Sequence, residues 1–272
     1  MLRFSSDVEV ELVKCSAEDM DVVFSARVST EGERTRDYGA SFDETNELSK
    51  REQGLINFLM RERHGTPFEH SYFTFYVKAP IFVWREHMRH RIASYNEESG
   101  RYRELEPEFY IPNKDRKLIQ VGKPGAYVFE EGSEEQYQIT VNNYKKACSE
   151  AYFNYKEMLS NGVAREVARG VLPVTIYSSA YVTINARSLM NFLSLRRNVE
   201  GQSFPSYPQR EIEMVAERYE EIFEYHMPVT HKAFVENGRV SPCVKVLLIV
   251  MHVYLLRCKQ KKVSLLMHRR GS

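Results

Sequence analysis

Cysteine is scarce in this 272-residue sequence, and its placement excludes two classes of small fold. The four residues, Cys15, Cys148, Cys243 and Cys258, form no C-x-x-C pair, and none stands at metal-ligand spacing from a histidine. A disulfide framework and a structural zinc module are thereby set aside, and free thiols in a reducing compartment are expected. The first twenty residues lack the basic-then-apolar layout of a secretory leader, so a cytoplasmic protein is expected. No apolar run reaches the ~20 residues that cross a bilayer. Glycine-rich nucleotide fingerprints are missing too: neither G-x-G-x-x-G nor G-x-x-x-x-G-K-[ST] occurs, which argues against a Rossmann or P-loop site. The formal net charge is only +1. Residues 1–241 hold 31 Lys and Arg against 37 Asp and Glu, and the basic excess is confined to 242–272. A mildly acidic body speaks against a nucleic-acid partner.

What is present reads as helices and strands in irregular order. Alternation predicts strands over Val8–Val13, Ser71–Ala79 and Thr175–Ile184. Helical spacing predicts helices over Ala17–Val28, Glu47–Arg63, Pro80–Arg91, Glu134–Leu159, Arg165–Val171, Ala186–Arg197 and Gln209–His226. Polar stretches at 30–45, 92–112 and 198–208 read as loops. Strands and helices that do not alternate regularly favour an α+β fold with a partly antiparallel sheet.

Two clusters carry candidate chemistry. The first holds five arginines in nineteen residues, Arg85, Arg89, Arg91, Arg101 and Arg103, interleaved with Ser, Asn and Gly. A guanidinium presents a planar fork of donors that matches phosphate or carboxylate. On a continuous helix Glu86, Arg89 and His90 share a face, with Trp84 and Met88 on another. Two readings fit this pattern, a solvated charged helix face and an oxyanion site. In the second cluster, Asn185 to Arg197, the apolar stripe Leu189, Phe192 and Leu193 continues into Arg196. A guanidinium there needs an acceptor or anion, unless it snorkels from the helix end. Arg187 and Asn191 form a second polar pair at i,i+4. His64 and His70 flank a turn without a third ligand nearby, so no metal site is expected.

Arg89-His90-Arg91, seven residues, then Ser99 resembles the R-H-R-x7-S signature of the flavin-dependent thymidylate synthases. Ser94 to Tyr102, the His64–His70 turn and the Asn185–Arg196 block are similar to that family in the same order. The resemblance implies an α+β unit with a twisted sheet and a helical subdomain, assembled as a homotetramer with active sites between subunits. It implies reductive methylation of dUMP to dTMP, with 5,10-methylenetetrahydrofolate as carbon donor and NADPH-reduced FAD as hydride source. Residues matching FAD contacts are Thr66, Arg89, His90, Arg91, Glu97, Asn185, Arg187 and Asn191, with His64 near the flavin. Those matching dUMP contacts are Glu86, His87, Met88, Arg89, Glu97, Glu98, Ser99, Gly100, Arg101, Arg169 and Arg196. Arg196 matches the arginine that favours ionisation at N3 of the pyrimidine, which makes it the expected catalytic residue. No histidine or aspartate is placed to activate Ser99, so a binding role is expected for it.

Some positions depart from the family. Glu86 stands where some members carry Gln, and 197–207 is longer than in compact members. The family-like domain spans 1–241. Residues 242–272 form a basic and apolar tail, read as an extension without a role in activity rather than as a membrane-surface segment. The alternatives to the flavoenzyme are a catalytically degenerate anion-binding homologue, a nucleic-acid module, and a cysteine-dependent synthase, for which neither Cys15 nor Cys148 has an activating setting.

Overall fold

An antiparallel sheet with its strands in the order β2-β3-β8-β4 organises the chain. Here β1 is Arg3–Ser5, β2 Glu9–Ser16, β3 Tyr72–Pro80, β4 Ser94–Glu97, β5 Glu108–Tyr110, β6 Ile119–Lys123, β7 Ala126–Glu130 and β8 Tyr177–Asn185. The helices are α1 Asp19–Glu31, α2 Lys50–Arg61, α3 Ile81–His87, α4 Glu134–Ser160, α5 Arg165–Ala168, α6 Ala186–Arg196, α7 Arg210–His226 and α8 Pro228–Glu236, with 3₁₀ turns at Thr66–Glu69 and Arg169–Val171. The computed structural model describes residues 2–32, 48–123 and 126–242. Most of the 30–45 loop and all of the tail beyond Pro242 lie outside the described residues.

The sheet follows from alternation. Phe73, Phe75 and Val77 of β3 and Ala180, Val182 and Ile184 of β8 point to one face and are buried. They pack against Val22 and Val23 of α1, Ile56 and Met60 of α2, Leu189 and Phe192 of α6, and Val215, Tyr219 and Phe223 of α7. Each such side chain contributes roughly 1.5–3 kcal/mol by leaving water. Thr74, Tyr76, Tyr181 and Thr183 face the other way and stay partly exposed. Nine residue pairs join β3 to β8, from Tyr72 opposite Asn185 to Pro80 opposite Tyr177. A smaller cluster of Leu105, Phe109, Cys148 and Ile176 lies under α4.

Local signals set the helix starts. Ser49 and Glu52 form a capping box at α2, and Ser133 and Gln136 form one at α4. Three expectations need correction. The helix expected to reach Arg91 stops at His87, and residues 88–91 turn back toward the sheet. The expected 92–112 loop contains β4 and β5, because polar Ser94–Glu97 pairs with Ala180–Thr183 of β8. Beyond His226 the chain continues into α8, with Pro228 in its first turn, where the missing N–H leaves no partner unmet.

Candidate active site

Three groups of side chains are placed by β8 and its neighbours. The first lies where α3 meets the end of α6. The Trp84 indole N–H donates to the Ser178 carbonyl at 3.1 Å and fixes α3 on β8. The chain then turns, with the His90 N–H on the His87 carbonyl at 3.1 Å. Arg196, the last residue of α6, has only 16% of its side chain exposed. Its Nη1 lies 3.0 Å from Glu86 Oε2, its Nη2 donates to the Glu86 carbonyl at 3.3 Å, and its Nε donates to His90 Nε2 at 3.1 Å. This meets the demand the apolar stripe raised, since the guanidinium has acceptors. Arg89 reaches the Glu86 carboxylate at 3.6 Å but keeps 71% of its side chain exposed. Arg91 is exposed and pairs with no described residue.

The histidines here are neutral bases. Burial, then the Arg196 charge, holds the His90 pKa down at about 4. The accepting Nε2 agrees with that state. His87 is 1% exposed, and burial followed by the charges of His90 and Arg196 takes its pKa to about 3. Its imidazole points into the core between Tyr95 and Tyr219, so the side chain faces protein. Met88, placed on a face with Trp84 by helical spacing, is instead 37% exposed while Trp84 is buried, because the helix has already ended.

The second group surrounds the turn after β4. Glu97 accepts from the Ser178 hydroxyl at 2.6 Å. Glu98 accepts from the Ser179 N–H at 2.9 Å and from its hydroxyl at 3.2 Å. The Ser99 hydroxyl accepts the Arg101 N–H at 3.3 Å, and no base among the described residues stands against it. A Cβ on Gly100 would sit 3.3 Å from Arg169 Cδ and 3.1 Å from Leu105, so this backbone passes close under the Arg169 side chain. Arg101 pairs with Glu166 at 2.7 Å on the surface. The turn thus brings Ser99, Arg101 and Arg169 together, with both guanidinium-bearing residues exposed.

The third group gathers at the far end of β8. Asn185 caps α6 by accepting the Ser188 N–H at 2.8 Å. Arg187 pairs with Glu69 and donates Nε to the Pro242 carbonyl at 2.8 Å. Ser241 donates to the Arg187 carbonyl at 2.8 Å, and Arg63 donates to the Val240 carbonyl at 2.7 Å. The segment 240–242 therefore straps the 63–65 turn to α6. His64 and Thr66 are exposed beside this strap, and Asn191 is exposed one turn after Arg187. Gly65 permits the close approach, because a Cβ there would lie 2.5 Å from the Pro242 carbonyl oxygen and 2.7 Å from Arg187 Nε. A Gly65→Ala variant is expected to lose about 1–3 kcal/mol through overpacking, seen as a lower urea midpoint. An unchanged midpoint would show that the strap is loosely held.

No hydrogen bond or ion pair among the described residues links side chains of one group to those of another. A cleft of about 1000 Å³ lies elsewhere, lined by Arg116, Phe129, Tyr207 and Glu211 among others, and includes no residue of the three groups. The cleft's Arg116 is paired with the buried Glu211 at 2.8 Å, whereas Arg89, Arg101 and Arg169 of the groups above are exposed to solvent. Sequence reasoning missed the supports: Tyr95, Tyr219, Ser178 and Ser179. Only the β4–β8 register, invisible before folding, brings Ser178 and Ser179 to Glu97 and Glu98.

Comparison with known proteins identifies the family. The family model described as thymidylate synthase complementing protein matches residues 11–229. A flavin-dependent thymidylate synthase of Tropheryma whipplei strain TW08/27 is 60% identical over 239 residues, covering 88% of this chain and 97% of its own length. One from Streptomyces coelicolor is 56% identical over 242 residues, covering 89% and 96%. The UMP/dUMP methylase PolB of Streptomyces cacaoi, solved with 5-bromo-dUMP bound, superposes with a TM-score of 0.80 at 50% identity, covering 89% of this chain and all of that one. Similarity of this extent places the chain in the thymidylate synthase complementing protein family, that of the flavin-dependent thymidylate synthases.

Proposed function

We infer that the chain methylates dUMP to dTMP at a site built from the Arg196, Ser99–Arg169 and Arg187 groups of different copies. The observation that carries this is Arg196, a guanidinium at the rim of the core whose protein acceptors are one carboxylate, one carbonyl and one neutral imidazole. Beside a pyrimidine, this cation favours the anion at N3 and raises electron density at C5, the carbon to be methylated. Low dielectric strengthens the effect. Arg101 and Arg169, exposed around Gly100, suit the nucleotide phosphate, and Ser99 adds a hydroxyl donor.

The donor set also fits a flavin dinucleotide. Arg89 and Arg91 are exposed guanidiniums for a pyrophosphate. Thr66, His64, Asn185, Asn191 and Arg187 add polar contacts from the third group, and His90 and Glu97 would add theirs from the other two. When bound, FAD would supply the redox chemistry, with NADPH as reductant and 5,10-methylenetetrahydrofolate as the source of the carbon. The protein's own share is to orient the pyrimidine, hold its charge and exclude water. Separation of the three groups within one chain, and the partly exposed sheet face bearing Tyr76 and Tyr181, support assembly as a homotetramer. Free Cys15 and Cys148 suit a reducing cytoplasm. Among the described residues no helix is long and apolar enough to cross a membrane.

The test is the visible spectrum of FAD-supplemented protein under anaerobic NADPH, with and without nucleotide. Bleaching, followed by reoxidation on methylenetetrahydrofolate only when dUMP is present, is expected. UMP belongs in the same assay, because the similar Streptomyces cacaoi protein is described as a UMP/dUMP methylase. Protein that holds nucleotide but never binds flavin would instead be the degenerate anion-binding homologue.

A further inference from the structure

Behind the Arg196 group lies a chain of three buried or half-buried polar side chains that none of the chemistry above uses. Tyr219 of α7 is fully buried, and its hydroxyl lies 2.9 Å from His87 Nε2. His87 Nδ1 lies 3.2 Å from the Tyr95 hydroxyl on β4. That hydroxyl in turn reaches the His90 carbonyl at 3.0 Å and the His87 carbonyl at 3.2 Å. The rings are wedged so that none turns freely. His87 meets Tyr95 and Tyr219 edge-on at 5.5 and 5.7 Å between centroids, and Phe192 lies tilted against both His87 and His90 at 4.8 and 4.6 Å.

Proton counting gives the chain a direction. A carbonyl only accepts, so the single Tyr95 proton goes to the His90 carbonyl side. Tyr95 oxygen is then an acceptor, and His87 Nδ1 must carry the ring proton. Nε2 of the neutral ring is left as acceptor for the Tyr219 hydroxyl. Each bond in the series is satisfied in one arrangement, as buried polar groups such as His87 and Tyr219 require. The same counting applies next door, where His90 Nε2 accepts from Arg196 Nε.

We propose that Tyr219, His87 and Tyr95 are positioning residues, a directed hydrogen-bond relay that fixes the His90 turn and so aims the Arg196 guanidinium at the pyrimidine. The relay runs from Tyr219 O–H to His87 Nε2, from His87 Nδ1–H to Tyr95 oxygen, and from Tyr95 O–H to the His90 carbonyl. This deepens the reading of Arg196 as the pyrimidine contact and rests on it for its kinetic consequence. It also gives His87, matched to a substrate position in the family, a role reached through its neighbours rather than through its own ring.

Two measurements on the full-length protein test it. The first is the ¹⁵N spectrum of histidine-labelled protein, with His87→Gln used to assign the signal. A neutral Nδ1–H tautomer of His87 is expected, and an Nε2–H tautomer or a charged ring overturns the relay. This readout does not depend on turnover, so it stands even if the methylation reading fails. The second is steady-state kinetics of Tyr95→Phe, Tyr219→Phe and the double variant. One lost orienting hydrogen bond is expected to lower kcat roughly tenfold, with KM for dUMP within about twofold. The double variant should be no worse than the more damaged single variant, because both break one series. Multiplicative losses, or a lowered thermal midpoint with unchanged kcat, would overturn the proposal. If Tyr95→Phe fails to fold, Tyr219→Phe with the tautomer measurement decides the matter. Wild-type protein with the expected tautomer but no methylation of dUMP would sink the proposed function and leave the relay standing.

Discussion

Replacing Arg196 with alanine is expected to lower kcat for dTMP formation by about 10²–10³, the range seen when one charge-stabilising donor is removed. Dimensions of the site explain why. Arg196 spreads three contacts over Glu86 and His90, and a fork of that width is not matched by a lysine ammonium. Arg196→Lys should therefore recover little of the loss. Folding should survive both changes, since Glu86 is partly exposed and water can reach its carboxylate. The assay is dTMP yield per flavin under saturating dUMP, with the thermal midpoint as control. Activity within threefold of wild type in Arg196→Ala would show that another group polarises the pyrimidine.

The second large effect concerns Glu220 of α7, which touches none of the proposed substrate contacts itself. Its carboxylate accepts from Arg239 at 2.6 Å, from His231 at 2.9 Å and from Arg197 at 2.9 Å. Those partners belong to the segment after α8, to α8 itself and to the residue following α6, so one buried anion ties three elements to α7. Burial alone would raise the carboxyl pKa, but the hydrogen bonds from His231, Arg239 and Arg197 outweigh it and hold it at about 2. Glu220→Gln keeps the shape and removes the charge that both guanidiniums need. A cost of about 3–5 kcal/mol is expected, as for other broken buried pairs. The sign with pH is fixed by linkage. The folded pKa lies below the unfolded value of 4.5, so the stabilisation is complete above that pH and fades as pH falls toward 2. The gap in urea midpoint between wild type and variant should stay constant from pH 5 to 8 and close in acid. A gap that is absent at pH 7 would mean the network is surface decoration.

Much of this was legible in the chain. Alternation located β2, β3 and β8, and helical spacing located α1, α2, α4, α6 and α7 within a few residues. The stripe through Leu189 and Phe192 left two readings for Arg196, a snorkelling helix end or a guanidinium with acceptors, and the structure gives it Glu86 and His90. What escaped was set by partners distant in sequence. β4 is four polar residues with no apolar period, and it becomes a strand only because β8 offers a free edge. α3 ends early because the 88–91 turn carries His90 to Arg196 and Tyr95 to its carbonyl, contacts that no local propensity encodes. The role of Tyr219 was hidden by chemistry that looks the same in any tyrosine-rich core, 132 residues away from His87.

The geometry of β8 also bears on how such a chain can drift in length. Ser178 and Ser179 hold Glu97 and Glu98 near one end, and Asn185 starts the Arg196 helix at the other, about 20–23 Å apart at the usual strand rise. One inserted residue between them would turn Val182 and Ile184 outward and Tyr181 inward. Two would restore the faces yet slide the Asn185 cap off its partners by roughly 7 Å. Length changes are therefore expected to be better tolerated away from this strand, as in the 197–208 loop, where no pairing to the core strands has to be kept in step.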